Sequence, residues 1–359
     1  MNADRRQALA FRFAGHHLDH RVDARTAAAS TGLQDTPPGS AVISLAARSD
    51  EGPDGLVTVY GMRGAPFLVP VADLAVFTAA LRPPDEKAAA ALLRTAAKAH
   101  PDVAPTELLE RATAAVADAL DGRELERDAF HQALRERLEP ELLWWCRNCG
   151  SHHVHPELWR ATGLNGVLAV TGRRGRSAVF GRPPEAPPAE DAGAELVRRF
   201  LRAYGPATRQ MLGSWAGIGT DHARGLWQRV EAELAEVSLE GKRAWILAAD
   251  AERLEHPPSS AGVRLVPGLD PYLAQRDRER FVPDESVRHR MWRMLGNPGA
   301  VLAGAELVGL WRAAKKGAKL TLTVERLAPF TPEDLEDESR RMAGVRGCAD
   351  VEVSVTAGT

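Results

Sequence analysis

Three times along the chain, a stretch patterned for helices runs into a short two-stranded segment that turns over at glycine. The first segment is LVTVYGMRGAPFLVP, with Val57, Val59 and Tyr60 before the turn MRGAP and Phe67 to Val69 after it. The second is GVLAVTGRRGRSAVFG, with GRRGR at its tip. The third is VSLEGKRAWIL, with Glu240-Gly241 at the turn. Apolar strands flanking a glycine-bearing turn predict antiparallel hairpins. Ahead of the first, residues 5–30 and SAVISLAAR carry apolar side chains at helical spacing, and VADLAVFTAAL follows it as a helix. Ahead of the second lie PTELLERATAAVADAL, residues 124–138 and HPELWRATGL. Ahead of the third lie ELVRRFLRAYG, closed by Gly205, PATRQMLGSWAG, opening at Pro206, and DHARGLWQRVEAEL, for which Thr220 is a candidate N-cap.

Helices followed by a two-stranded wing is the order of a winged helix-turn-helix. In that module the last helix enters the major groove and the wing approaches the backbone or minor groove. The order predicts an α+β protein of three tandem winged-helix modules, over residues 1–85, 86–185 and 190–258. The acidic, proline-rich RPPEAPPAEDAG reads as the linker before the third. From residue 259 the texture changes. AVLAGAELVGLWRAAKKGAKLTLTVERL alternates like a meander broken by Gly304, Gly309 and Gly317. TPEDLEDESRRMAGV reads as a capped acidic helix and VEVSV as a last strand. Residues 259–359 are therefore expected to form a small β-barrel-like domain.

The chain has 359 residues, more than one hydrophobic core usually serves. Its 46 basic and 48 acidic residues leave a net charge of −2. That balance excludes a blanket polycation, so binding to nucleic acid would depend on where basic side chains cluster. No apolar run approaches the roughly eighteen residues of a membrane span. MNADRRQALAFRF lacks the apolar stretch and cleavage site of a signal peptide. Three cysteines are too few for a disulfide framework. These features predict a cytoplasmic protein with no membrane partner; a monomer is expected, although none of them sets the oligomeric state.

The wing tip Arg173, Arg174 and Arg176 suits phosphate contact, because glycines permit the turn and arginines reach out from it. Arg312, Lys315 and Lys316 cluster at a strand turn without acidic neighbours, and make a second candidate phosphate group. Arg224 and Gln228 lie on the third module's last helix. Arg276 and Arg278 alternate with Asp277 and Glu279, a pattern that also allows self-pairing. A solvated face is the ordinary reading for each. Trp215, Trp227, Trp245 and Trp311 fall inside elements, where core packing is the expected role.

Cys146, Cys149, His152 and His155 recur at steps of three in WWCRNCGSHHVHPELW. Two thiolates and two imidazoles are a zinc-type donor set. On a regular helix these positions would drift round the axis and fail to converge, so a structural zinc would need a looped backbone. The alternative has Cys146 packing inward and the histidines capping the next helix or meeting DNA.

The stretch TGLQDTPP ends a helical run with a glycine, then sets Gln34, Asp35 and Thr36 before two prolines. An ordinary loop explains it; so does a loop that presents Gln34 to a substrate. Here a family resemblance enters. MRGAPFLVPVADL resembles the MRGTLHLVP-type segment of a bacterial winged-helix superfamily, and GLQDTPPGSA stands where that superfamily has GLQAQDP. FLRAYGPATRQMLGSWAG is similar to its third-module helix pair. LVPGLDPYLAQRDR and GAELVGLWR are similar to its C-terminal barrel. The superfamily is that of the DNA glycosylases of the azinomycin-resistance (AlkZ/YcaQ-like) type.

The resemblance implies a concave, DNA-binding body of tandem winged helices plus a barrel. It implies cofactor-free hydrolysis of the N-glycosidic bond of alkylated or crosslinked purines in duplex DNA. The superfamily's catalytic signature is Gln-x-Gln, or Gln-x-Asp in one branch. Gln34 matches the first position, Thr36 stands at the second, and Asp35 stands between. Arg63 and Gly64 match Arg-Gly of the hairpin, but Phe67 stands where relatives carry histidine. On this reading Gln34 orients the hydrolytic water, Thr36 or Asp35 assists, and Arg63 supports the pocket or a phosphate. A non-catalytic DNA binder, such as a regulator or lesion-shielding factor, and a protein-interaction scaffold remain the competing classes.

Overall fold

The computed structural model describes residues 1–147, 150–175, 177–259 and 262–357. Helices and open sheets alternate along it, an α+β fold. Packing divides the chain into two compact units, residues 1–54, 198–208 and 232–359, and residues 55–197 and 209–231. The four sequence modules divide the chain by element order and the units divide it by contact. The one does not decide the other. Among the described residues no helix is long and apolar enough to cross a membrane.

In the unit built on residues 55–197, hairpin Leu56–Tyr60/Pro66–Pro70 does not stand alone. Thr58 and Val59 pair antiparallel with Val170 and Ala169 of hairpin Ala169–Arg174/Ser177–Gly181. Strand Leu125–Glu126 pairs in turn with Phe180 and Val179. The first two hairpins thus share one sheet, because an unpaired strand edge is satisfied by the next strand available. Helix Pro105–Ala119 supplies one stripe of the core through Leu108, Ala112, Ala115, Val116 and Ala119, the spacing of a single helical face. Phe130, Trp159 and Phe180 close that core, with Phe130 and Phe180 ring centroids 4.7 Å apart. Helix Glu86–Ala99 packs there through Leu93 and Ala96.

The other unit begins with helix Arg5–Gly15, opened by a capping box. Asp4 Oδ1 accepts from Gln7 N–H at 2.8 Å, and Gln7 Oε1 accepts from Asp4 N–H at 3.0 Å. Strand Asn2–Ala3 joins the third hairpin, Leu234–Leu239/Lys242–Leu247, parallel to Ser238 and Leu239. The residues from 263 onward build a sheet of five strands among those described, Val263–Val266, Gly299–Ala303, Glu306–Lys316, Lys319–Arg326 and Asp350–Ala357. It is open rather than closed into a barrel. The last strand runs parallel to its neighbour, and helix Glu336–Val345 supplies Met342 and Ala343 to the core under the sheet with Leu320, Leu322 and Val324. A helix covering the apolar face removes the need for closure.

This unit also buries two arginines completely. Arg48 Nη1 and Nη2 donate to the two carboxylate oxygens of Asp270 at 2.8 and 2.7 Å, and Nε donates to the His16 carbonyl at 2.8 Å. Arg12 donates to Asp277 at 2.8 and 3.0 Å, to Gln275 Oε1, and to the carbonyls of Gly205 and Pro206. Planar guanidinium forks suit such paired sites because several donors lie in fixed directions.

Burial holds several histidines below their usual range. His16 lies far below it through burial and the nearby Arg48, and His131 is pulled down to about 4 chiefly by burial. His17, His100, His155 and His222 shift the same way for the same leading reason. Unfolding frees these rings to take a proton near pH 6.5, so acid favours the unfolded chain. Their contribution is intact above about pH 6.5 and is lost progressively towards pH 4. The thermal midpoint is therefore expected to fall steadily through that window in a calorimetric pH series. A flat midpoint would contradict the buried neutral state.

Candidate active site

Helix Ala24–Ala29 gives way to Gly32, at φ +68°, and the chain then extends through Leu33–Gln34. Burial alternates from there. Leu33 and Asp35 are buried, whereas Gln34 and Thr36 are partly exposed. Period two is what an extended backbone imposes, so Gln34 and Thr36 share one face. Asp35 turns the other way, into the start of helix Ser40–Ala46. Its Oδ1 accepts from the N–H of Gly39 at 2.6 Å and of Ala41 at 3.3 Å. Gly39, the residue that begins this helix, has no side chain to cap it. The Asp35 carboxylate therefore satisfies N–H groups that no helical carbonyl reaches, at the positive end of the helix dipole. Ser40 Oγ donates to the Pro37 carbonyl at 2.6 Å and closes the loop. Asp35, expected from sequence as an assistant to Gln34, is a brace that fixes the loop.

Arg63 and Gly64 turn the first hairpin with φ of +58° and +64°. Ala65 N–H donates to the Met62 carbonyl at 3.1 Å across them. This is the primed turn whose two central residues both need positive φ. An arginine there costs roughly 1–2 kcal/mol relative to glycine, a strain worth a functional question. Its guanidinium lies 5.7 Å from the centroid of the Phe67 ring, and its Nη1 donates to the Trp215 carbonyl. Gly217 makes room: a Cβ there would stand 2.8 Å from Arg63 Cγ. Phe67 is buried at 3% exposure, so this position offers no polar group in the hairpin.

Several candidate phosphate residues have partners. Arg174 pairs with Glu126 at 2.9 Å on the second hairpin, beside exposed Arg173. Arg176 lies outside the described residues. Arg224 is exposed and pairs with Asp221 at 3.0 Å, and Gln228 is exposed on the same helix. Gly219 caps that helix and Thr220 is its first residue. Arg276 and Arg278 are half-buried, and burial lowers the pKa of both. Arg278 lies over the Trp292 ring at 4.6 Å. Arg312 donates to the Gly296 carbonyl at 3.1 Å. Lys315 donates to the Arg346 carbonyl at 2.6 Å, just past the end of helix Glu336–Val345, where a cation complements the dipole. Lys316 is exposed. Trp215, Trp227 and Trp311 are buried, and Trp245 is half-buried.

The Cys/His cluster forms a small hairpin, Trp144–Cys146 with Ser151–His153. Trp145 faces His152 across it, and Cys146 faces Ser151. Neighbouring positions alternate sides, so Cys146 and His152 point to opposite faces. His155 is buried, and its Nδ1 accepts from Glu157 N–H at 3.2 Å as cap of helix Pro156–Ala161. Among the described residues no three metal-ligating side chains gather. Cys149 lies outside them.

A family model described as DNA glycosylase AlkZ-like matches residues 28–345. The chain belongs to the AlkZ-like DNA glycosylase family. It is 28% identical over 228 residues to an interstrand DNA cross-link repair glycosylase of Streptomyces sahachiroi, an alignment that spans 56% of this chain and 57% of that relative. It shares its fold with the solved structure of the DNA glycosylase AlkZ of Streptomyces sahachiroi, at TM-score 0.74 and 21% identity, over 99% of this chain and 100% of that one. The AlkZ-like family thus accounts for the resemblance carried by GLQDTPPGSA and MRGAPFLVPVADL. Neither Arg94 nor Arg160 stands out in the sequence, because HPELWRATGL reads as a short helix and EKAAAALLRTAAKA carries no motif.

Proposed function

We propose that this chain binds duplex DNA and acts as a monofunctional glycosylase on cationic alkylated purines. The observation that carries the reading is the alternation at residues 33–36, with Gln34 and Thr36 on one face and Asp35 withdrawn as a helix cap. An amide and a hydroxyl two residues apart can hold one water, the Gln34 carbonyl accepting from it and the Thr36 hydroxyl turning to suit. Neither group takes a proton at neutral pH. The bond must therefore break first, with the purine leaving as a neutral base because alkylation has already made it cationic. Water then adds to the oxocarbenium-like sugar and releases its proton to solvent. The loop's task is to position the water and aim dipoles at the developing charge.

This chemistry sets a substrate limit. Duplexes with a single N7-alkylguanine should yield alkali-labile abasic sites, and duplexes with a neutral lesion such as uracil should not. Excision of uracil at a comparable rate would contradict the reading. Thr36→Asp places a carboxylate beside the developing cation and is expected to raise the rate about tenfold, or roughly 1.4 kcal/mol of barrier. A variant slower than the natural chain in single-turnover assays would count against the role given to Thr36.

The competing reading is a non-catalytic DNA binder. The apolar, buried Phe67 favours it, since it removes a polar group that relatives keep in the hairpin. A chain that binds alkylated duplex tightly and leaves the base in place would establish it.

A further inference from the structure

A cleft of about 270 Å3 opens in the unit that holds the first two wings. Arg63, Arg94 and Arg160 line it, against the single carboxylate of Glu157. Leu92, Ala161 and Leu164 form apolar walls, and Gly61, Gly64 and Gly217 complete the lining.

Two of its three arginines sit on strained backbone. Among the described residues only His17, Arg63, Arg94 and Glu240 are non-glycine residues at positive φ. Arg94 interrupts helix Glu86–Ala99 at φ +30° and ψ −89°, a region that L side chains avoid. Apolar packing does not explain the distortion, because the Arg94 side chain is 73% exposed. The break deprives the following N–H groups of regular helical partners. Glu157 Oε2 replaces them, accepting from Thr95 and Ala96 N–H at 2.8 and 3.1 Å. Its other oxygen lies 3.5 Å from Arg94 Nη2. The one acidic group of the cleft is thus occupied in holding the break open. Arg160 is exposed and lies 5.3 Å from the Trp159 ring centroid, a stacking that orients its guanidinium.

The geometry points to a clamp for one phosphodiester of the DNA backbone, gripped by Arg94 and Arg160 with Arg63 at its edge and with the attached deoxyribose against Leu92 and Ala161. Guanidinium forks match phosphate oxygens, and an apolar wall beside them suits a sugar better than a free anion. The inference rests on the DNA-binding part of the reading above and not on catalysis.

The test uses an undamaged duplex and the full chain, comparing Arg94→Gln, Arg160→Gln and the double variant across a salt series. Each single change is expected to weaken binding about tenfold and flatten the log–log salt slope by about one, as for one lost phosphate contact. The double variant should be little worse than either single, because both arms hold the same phosphate. Unchanged binding in the variants overturns the clamp. Additive losses, with the slope flattened by about two, make the arginines independent surface charges and also overturn it. A natural chain that shows no salt-dependent binding overturns the DNA reading itself. If inorganic phosphate at constant ionic strength raises the thermal midpoint of the natural chain, while the variants bind DNA normally, the cleft serves a free anion and not DNA.

Arg94→Gly separates function from scaffolding. Glycine accepts positive φ, so the midpoint should hold or rise while DNA affinity falls about tenfold. A fall in both would make Arg94 a structural residue.

Discussion

Gln34→Ala is expected to reduce excision of N7-alkylguanine by about a hundredfold or more, the usual effect of removing one placed polar group at a developing charge. The loop that carries Gln34 is rigidly built, so the loss should be chemical rather than structural. Asp35 ties it to helix Ser40–Ala46 and Ser40 Oγ ties it to Pro37. Gln34 contributes its side chain to a partly exposed face, so its truncation leaves the Asp35 cap in place. The thermal midpoint of Gln34→Ala should match that of the natural chain within a degree or two. DNA affinity should fall far less than the rate, since an interaction made mainly in the transition state lowers kcat rather than binding. Asp35→Ala makes the contrasting variant. It should lose about 1 kcal/mol of stability with its cap and lose activity only through a loosened loop. Equal rates for Gln34→Ala and the natural chain would remove Gln34 from the chemistry.

The largest stability effect is expected at the Arg48–Asp270 pair. Both side chains are fully buried. Arg48→Met strands the Asp270 carboxylate and leaves the carbonyls of His16 and Ser44 without this donor. Breaking one partner of a buried pair typically costs about 3–5 kcal/mol. Asp270→Leu should cost a similar amount by stranding the guanidinium. The double variant Arg48→Met/Asp270→Leu should recover much of the loss, because no unpaired charge remains inside. Denaturant midpoints of the four proteins test this. Additive losses would show that the pair is not the unit that matters. The effect reaches the candidate site, since Arg48 grips Ser44 within the very helix that Asp35 caps.

What could be read from the sequence follows from how locally it is encoded. The hairpin at MRGAP was legible because alternation and a turn lie within fifteen residues, and the Gln34 loop because glycine and proline punctuate it. The shared sheet of the first two hairpins was not, because Thr58 pairs with Val170 across a span that no local pattern marks. The open form of the last sheet was hidden for a related reason. A meander of alternating strands looks the same whether it closes or is covered by a helix, and Met342 decides the matter by packing under Leu322. The capping by Asp35 was not legible because its partners, the N–H groups of Gly39 and Ala41, are backbone. Arg48 and Asp270 stand 222 positions apart, and an arginine within SAVISLAAR has the composition of a surface residue. The strain at Arg94 is invisible in EKAAAALLRTAAKA, which has the propensities of an unbroken helix.

The central claim is that TGLQDT is an active-site loop. Single-turnover incubation of the natural chain with a duplex carrying one N7-methylguanine, scored for alkali-labile strand breaks at that base, tests it most directly. First-order accumulation of abasic product well above spontaneous depurination is expected, and none with Gln34→Ala. An intact lesion in a duplex that a gel shift shows to be fully bound would contradict it, and would make this chain a DNA binder that has kept the loop and lost the reaction.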